Sequence, residues 1–266
     1  MSRIGEKFKE LKKKKEKAFI AFLTAGDPDL KVTESLVVEL ERRGVDIFEL
    51  GVPFSDPLAD GPTIQAASER ALKNKVSLKD VLKLIKTLRS KVRVPLILFT
   101  YYNPVHRYGL EKFSRDAAKA GVDGVIVPDL PPEEGKELKG YMGEAGLDTI
   151  FLVAPTSTSK RIKLVAGNST GFVYYVSLTG VTGARDGLMK TVEPALRKIR
   201  CFTKKPIAVG FGISNPQQVK EVVSFAEGVI VGSSIVKRIE DNLSDRNLVR
   251  QVAEFVERLV QASKTS

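Results

Sequence analysis

Two carboxylates that could exchange protons with a substrate, Glu49 and Asp60, flank one loop in the sequence. Glu49 stands in the apolar run 46–50, which is typical of a β-strand, and Asp60 ends the proline- and glycine-rich loop that follows. Side chains alternate along a strand, so Phe48 and Leu50 share one apolar face and Glu49 points to the other. If the strand is buried on both faces, its carboxyl group must be neutralised, paired or functional. Burial would raise the pKa of Glu49 and make it a candidate general acid.

Each carboxylate also has an ordinary interpretation. Glu49 could be a surface residue at a frayed strand end. Asp60 precedes Gly61 and could be a turn residue that caps a helix near Thr63. Alternatively, the proline-stiffened loop folds back and carries Asp60 over the same cavity as Glu49. Asp27 and Asp129 each adjoin a proline, and either could be a turn residue or take part in chemistry.

Glycines and hydroxyls follow the last apolar runs and could present backbone N–H groups to a phosphate, as helix N-termini do. The candidates are Gly183, Gly212, Gly232 and Ser233. They could equally be turn glycines and an ordinary helix cap. Two aromatic residues, Phe22 and Phe211, end strands and could wall a planar apolar substrate or pack in the core.

Other catalytic side chains are scarce. No lysine ends an apolar run, which argues against a Schiff-base aldolase. The single histidine, His106, argues against a histidine-rich zinc centre, so we expect no metal. His106 itself is interpreted as a loop residue or interface contact. The single cysteine, Cys201, excludes an internal disulfide and favours a reducing cytoplasm.

The elements that position these residues follow one rhythm, in which a short apolar run ends in a turn and an amphipathic helix follows. The eight apolar runs are 18–23, 46–51, 95–100, 124–127, 149–153, 171–177, 206–210 and 228–231. This predicts an α/β fold: a single (β/α)8 TIM barrel with an extra N-terminal helix and extra helices at strands 2 and 8. A doubly wound open sheet is the alternative. Because no linker interrupts the rhythm, residues 1–266 are expected to form one domain.

The composition further limits the class of protein to which this chain can belong. The 266 residues are 42% hydrophobic, without an apolar run near the roughly 20 residues that a membrane span needs and without the apolar core of a signal peptide. The formal net charge of +11 is spread over helical segments, and the lysines at 12–15 are interpreted as a solvated helix face. We therefore expect a cytoplasmic protein that binds neither a membrane nor nucleic acid, and whose positive field suits an anionic substrate or an acidic partner.

The strand ends resemble those of the tryptophan synthase alpha subunit family. The longest shared pattern is Glu-Leu-Gly-Val-Pro-Phe-Ser-Asp-Pro-Leu-Ala-Asp-Gly-Pro at positions 49–62. Further matching segments lie at 22–28, 102–104, 128–131, 180–183, 210–214 and 232–233, so the resemblance extends over nearly the whole chain. Two positions depart from the family pattern: Phe48 replaces an aliphatic residue, and Leu178 stands where a basic residue is frequent.

The resemblance implies a lyase that cleaves indole-3-glycerol phosphate to indole and glyceraldehyde 3-phosphate, the alpha reaction of L-tryptophan biosynthesis. Glu49 would be the general acid and the base, and Asp60 would hold the indole N–H. The implied substrate contacts are Phe22, Tyr174, Thr182, Gly183, Phe211, Gly212, Gly232 and Ser233. Thr182 lies in a glycine-rich segment, 179–187, that would close against Asp60 as a lid.

The resemblance also implies a partner. A pyridoxal-phosphate-dependent beta subunit would receive the indole in an α2β2 complex with coupled activities, while this subunit carries no cofactor. Asp56, Asn103, Pro104 and His106 would face that partner. The alternatives are another phosphate-binding barrel, such as a sugar-phosphate isomerase, or a basic barrel without activity that binds a partner or nucleic acid.

Overall fold

The computed structural model describes residues 2–176, 185–210 and 212–264. In these residues the strands run parallel in one sheet of order β5-β4-β3-β2-β1-β9-β8-β7-β6. The strands are β1 (Ala18–Thr24), β2 (Ile47–Gly51), β3 (Leu96–Phe99), β4 (Gly124–Ile126), β5 (Asp148–Ile150), β6 (Leu152–Val153), β7 (Val173–Val176), β8 (Ile207–Gly210) and β9 (Gly228–Val231).

The two edge strands of this order, β5 and β6, are separated in the chain by Phe151 alone. They are two parts of the fifth predicted strand, which was expected to be the uninterrupted run 149–153. One part pairs with β4 and the other with β7, so the sheet returns on itself. The Phe151 carbonyl accepts a hydrogen bond from the Tyr174 N–H at 3.3 Å across the interruption. The barrel expectation is confirmed, and the open sheet is excluded.

Helices surround the sheet: α1 (Arg3–Lys14), α2 (Leu30–Arg42), α3 (Pro62–Lys73), α4 (Leu78–Leu88), α5 (Tyr102–Tyr108), α6 (Leu110–Ala120), α7 (Lys136–Glu144), α8 (Ser159–Asn168), α9 (Arg185–Arg200), α10 (Pro216–Val223), α11 (Ser233–Glu240) and α12 (Leu248–Lys264). The extra helices predicted at the N-terminus and after the second and last strands are confirmed as α1, the pair α3 and α4, and the pair α11 and α12.

One helix, α5, was not expected, and the interpretation of His106 as a loop residue is wrong. His106 lies inside α5, which begins three positions after the last residue of β3. The Asp129 carboxylate accepts the Tyr102 N–H at 2.9 Å and so satisfies a donor of the first helical turn. Pro104 stands within that first turn, where its missing N–H costs little.

Inward-facing side chains fill the barrel. Ile20, Ile47, Ile97, Ile126 and Ile150 form an inner cluster, and Ile4, Phe8 and Leu11 of α1 pack against it. A second cluster lies between the outer face of the sheet and the helices, where it includes Phe48 and Leu50. Ile4 of α1 lies against Gly124, the first residue of β4, so α1 packs into the barrel interior at the N-terminal ends of the strands. Active sites of this fold lie at the opposite, carboxyl ends.

Candidate active site

Glu49 lies inside the barrel near the carboxyl end of β2. In the strand register it stands between Phe22 of β1 and Ile97 of β3. Its side chain is fully buried, and neither carboxylate oxygen has a hydrogen-bond partner in the part of the chain that the structure describes. Burial without a compensating partner raises the pKa of Glu49 from 4.5 to about 8. At neutral pH the group therefore holds its proton and can act as an acid.

Two other buried carboxylates, Asp27 and Asp46, contrast with Glu49. Asp27 receives two hydrogen bonds from the Arg70 guanidinium, at 2.7 and 3.0 Å. Asp46 accepts the Phe19 N–H at 2.7 Å and an ion pair from Lys264 at 2.6 Å. These carboxylates have structural partners, as buried charges normally do. Asp27, and Asp129 through its hydrogen bond to the first turn of α5, thus each have a structural role.

An aromatic pair lies beside Glu49. Phe22 and Phe99 meet edge to face, with ring centroids 5.6 Å apart. Gly51 makes room for them, because a β-carbon at that position would lie 2.6 Å from Cζ of Phe22. Sequence reasoning selected Phe22 but missed Phe99. The sequence could have identified Phe99 by the alternation of side chains along a strand. Phe99 ends β3 two residues after Ile97 and therefore faces inward as Ile97 does.

Asp60 lies in the loop between β2 and α3 and does not cap the helix, whose N-cap is Gly61. Its Oδ2 accepts a hydrogen bond from the Tyr101 hydroxyl at 2.9 Å. Burial raises the pKa of Asp60 to about 6, and the Tyr101 hydrogen bond opposes that rise by stabilising the ionised form. At neutral pH Asp60 is therefore mainly ionised, in contrast to Glu49.

Tyr174 lies near both carboxylates. It is buried on β7, and a β-carbon at Gly210 of β8 would overlap its hydroxyl. Burial raises its pKa well above 10, and the charges of Glu49 and Asp60 raise it further. The three side chains are thus close enough to interact electrostatically. A buried hydroxyl that sequence reasoning missed, Thr24 Oγ1, also lacks a partner in the described residues and lies opposite Gly51 in the register.

The phosphate candidates that the structure describes lie after β8 and β9. Gly232 is the N-cap of α11, and Ser233 is its first residue. The first turn of a helix has unsatisfied N–H groups and the positive end of the dipole. Ser234 Oγ donates to the Ile213 carbonyl at 2.7 Å, which ties this turn to the loop that contains Gly212. A β-carbon at Gly232 would lie 3.3 Å from Cβ of Phe22, so the helix start adjoins the aromatic pair.

Comparison with known proteins identifies the fold's relatives. A family model described as Tryptophan synthase alpha chain matches residues 8–264. The chain belongs to this family. The tryptophan synthase alpha chain of Geotalea uraniireducens is 54% identical over 245 residues, 92% of each chain. The crystal structure of tryptophan synthase subunit alpha from Legionella pneumophila superposes with a TM-score of 0.92 at 35% identity and 98% coverage of both chains. A chain of M. tuberculosis tryptophan synthase, in an open form with BRD0059 bound, gives 0.90 at 33% identity and full coverage.

Membership in the tryptophan synthase alpha chain family settles the reaction. The chain is a lyase that acts on indole-3-glycerol phosphate in tryptophan biosynthesis, and it is not the isomerase or the inactive basic barrel that the sequence left open. In the described residues no helix is long and apolar enough to cross a membrane, and no group of histidine, cysteine, aspartate and glutamate side chains is placed to hold a metal.

The predicted site residues of this alpha chain fall partly outside the described residues. Thr182, Gly183 and Phe211 lie outside the described residues, as do Leu178 and most of the predicted lid. The partner-facing candidates are placed. Asp56 is exposed and accepts the Ser55 hydroxyl at 2.6 Å. Asn103 and His106 are exposed on α5, and Pro104 is half-buried. Leu58, which sequence reasoning missed, is 93% exposed between Asp56 and Asp60.

Proposed function

We propose that Glu49 and Asp60 divide the acid–base work of cleaving indole-3-glycerol phosphate to indole and glyceraldehyde 3-phosphate. The observation that carries the proposal is the contrast between them: Glu49 is fully buried with its pKa raised to about 8, and Asp60 is held by Tyr101 with a pKa of about 6. One carboxyl keeps its proton at neutral pH and the other is ionised, which is how paired carboxylates take separate roles.

The cleavage begins with a proton from Glu49 to the indole ring carbon that carries the glycerol chain. The ring becomes an indolenine whose positive charge spreads to its N–H, and the ionised Asp60 accepts that N–H and stabilises the charge. Glu49, now a carboxylate, removes the proton from the neighbouring glycerol hydroxyl. The oxygen electrons form the aldehyde, the carbon–carbon bond breaks, and its electron pair restores the aromatic indole. Glu49 ends with its proton regained.

The remaining site residues position the substrate. In this proposal Phe22 and Phe211 enclose the indole, and Tyr174 lines the cavity beside both carboxylates. Phosphate binds to N–H groups near Gly212, Gly232 and Ser233, with Gly183 completing the site and Thr182 closing against Asp60. The neutral first turn of α11 and its dipole support this assignment.

We also propose how the chain works in its complex. The partner is a pyridoxal-phosphate-dependent beta subunit in an α2β2 assembly, which receives indole, and this chain needs no cofactor of its own. Asp56 and the α5 residues Asn103, Pro104 and His106 face that partner. Two observations support this assignment. Asp56, Asn103 and His106 are exposed. The loop that contains Asp56 is held near the start of α5, because Tyr101, which precedes α5, hydrogen-bonds to Ala59 and Asp60 of that loop. Residues 1–266 act as one cytoplasmic barrel domain.

The test measures indole release from indole-3-glycerol phosphate, with and without a beta subunit. Glu49→Gln keeps the shape of the side chain but cannot donate the proton, so we expect turnover to fall by at least about 100-fold, the scale of general acid catalysis. Glu144→Gln, at the exposed last residue of α7, is the control and should keep full activity. Turnover near that of the wild type in a folded Glu49→Gln protein would reject Glu49 as the acid.

A further inference from the structure

Tyr101 contacts the loop between β2 and α3 near both of its ends. The residue lies two positions after the end of β3, directly before α5, and is 3% exposed. Its ring stacks on Phe54 with centroids 5.2 Å apart and planes 29° apart. Its hydroxyl accepts the Ala59 N–H at 3.0 Å and donates to Asp60 Oδ2 at 2.9 Å. One side chain fixed to the barrel therefore holds the start and the end of the loop.

The direction of these hydrogen bonds follows from chemistry. A backbone N–H can only donate, so the Tyr101 oxygen is the acceptor for Ala59. The single hydroxyl proton is then free for Asp60, whose oxygen must accept it. A donor aimed at a carboxylate favours the ionised form. In the part of the chain that the structure describes, no other side chain donates a hydrogen bond to this carboxylate.

The loop has few other attachments among the described residues. Leu58 N–H donates to the Asp56 carbonyl and Asp60 N–H to the Pro57 carbonyl, both at 2.9 Å, which are contacts within the loop. Gln65 Nε2 donates to the Asp60 carbonyl at 2.8 Å, a bond to the helix that follows. None of these orients the Asp60 side chain. That task falls to Tyr101.

We infer that Tyr101 is a positioning residue for the cleavage: it holds Asp60 ionised and anchored through Oδ2, so that Oδ1 is left to accept the indole N–H. The inference rests on the proposed role of Asp60. Tyr101 itself need not touch the reacting atoms. Among the described residues, Tyr101 and Tyr174 interact electrostatically with Asp60, Glu49 interacts with Tyr174, and Asp129 interacts with Tyr101.

Tyr101→Phe keeps the ring and its stack on Phe54 and removes only the hydroxyl. Loss of a hydrogen bond to a charged group should lower kcat/KM for indole release by about 10- to 100-fold. Without that donor the Asp60 carboxylate is less stable, so the acid limb of the kcat/KM profile should move to higher pH by about one unit. A role in folding alone would lower the amount of active protein but leave the pH profile in place.

A double-mutant cycle separates this inference from the proposed function. If Tyr101 acts through Asp60, Tyr101→Phe should change kcat/KM less than about twofold in an Asp60→Asn background, because interacting residues are not additive. Tyr108→Phe is the matched control: it removes another tyrosine-to-aspartate bond, to Asp116 at 3.0 Å, and should leave the isolated chain's profile unchanged.

The outcomes are distinct. A full effect of Tyr101→Phe in the Asp60→Asn background, or an unshifted acid limb in the single variant, overturns the role of Tyr101 and leaves Asp60 standing. Normal activity in Asp60→Asn overturns the proposed charge role of Asp60 and this inference with it. Circular dichroism and thermal unfolding of each variant show that the compared proteins are folded.

Discussion

Glu49→Gln should make the protein inactive and, at alkaline pH, more stable than the wild type. Glu49 has a pKa of about 8 in the folded state and an ordinary value of 4.5. Between these two values the folded protein binds a proton that the unfolded chain has released. The free energy of unfolding of the wild type therefore falls as pH rises through this window, and it levels off above pH 8. A glutamine at this position does not titrate and removes the slope.

The magnitude follows from the shift. One pKa unit corresponds to about 1.4 kcal/mol, so the rise from 4.5 to about 8 is worth about 5 kcal/mol over the whole window. Because Glu49 is fully buried, solvent does not screen this contribution. Between pH 5.5 and 8.5 the linkage relation gives a loss of about 3 kcal/mol from this one group.

The assay is urea unfolding followed by circular dichroism at pH 5.5, 7 and 8.5, since the chain has no tryptophan to report by fluorescence. The quantity to compare is the difference in free energy of unfolding between Glu49→Gln and the wild type at each pH. We expect it to rise by about 3 kcal/mol in favour of the variant from the lowest to the highest pH. The exposed-site variant Glu144→Gln controls for loss of a carboxylate. A difference that stays constant across this range would refute the claim that Glu49 is protonated because it is buried without a partner.

Two further substitutions test the packing that supports the site. Arg70→Met should destabilise the fold by about 3–5 kcal/mol in urea unfolding, because Asp27, 1% exposed, loses the partner that compensates its charge, and Glu240 loses a 3.0 Å contact; a cost below about 1 kcal/mol would contradict the pairing. Gly51→Ala should cost about 1–3 kcal/mol and raise KM, because its β-carbon displaces the Phe22 ring. An unchanged KM would show that this ring does not shape the indole cavity.

Most of the fold was predictable because its signals are local. Apolar runs and amphipathic helices repeat along the chain, and each run fell on a strand of the barrel. The errors came from longer-range contacts. Helix α5 (Tyr102–Tyr108) is stabilised by Asp129, from another loop, which accepts an N–H of its first turn. The fifth strand is interrupted at Phe151, where it passes from one neighbour to the other.

The candidate site, like the fold, was only partly predictable from the sequence. Phe22, Glu49 and Phe99 share the inward face by strand parity, which the sequence carries, although only the first two were selected from it. The partner of Asp60 was not accessible in this way. Tyr101 lies 41 positions away, and its hydroxyl meets Asp60 only because the loop folds back against the end of β3.

The sequence by itself determined the barrel, the family and the inward direction of Glu49, because period, parity and motif are properties of neighbouring residues along the chain. Only the tertiary structure decided that Glu49 has no partner among the described residues while Asp60 has one. The proton of a buried carboxyl depends on every group that surrounds it, and those groups come from distant parts of the chain. One carboxylic acid, Glu49, is therefore protonated at the end of β2, and another, Asp60, is ionised at the end of the next loop.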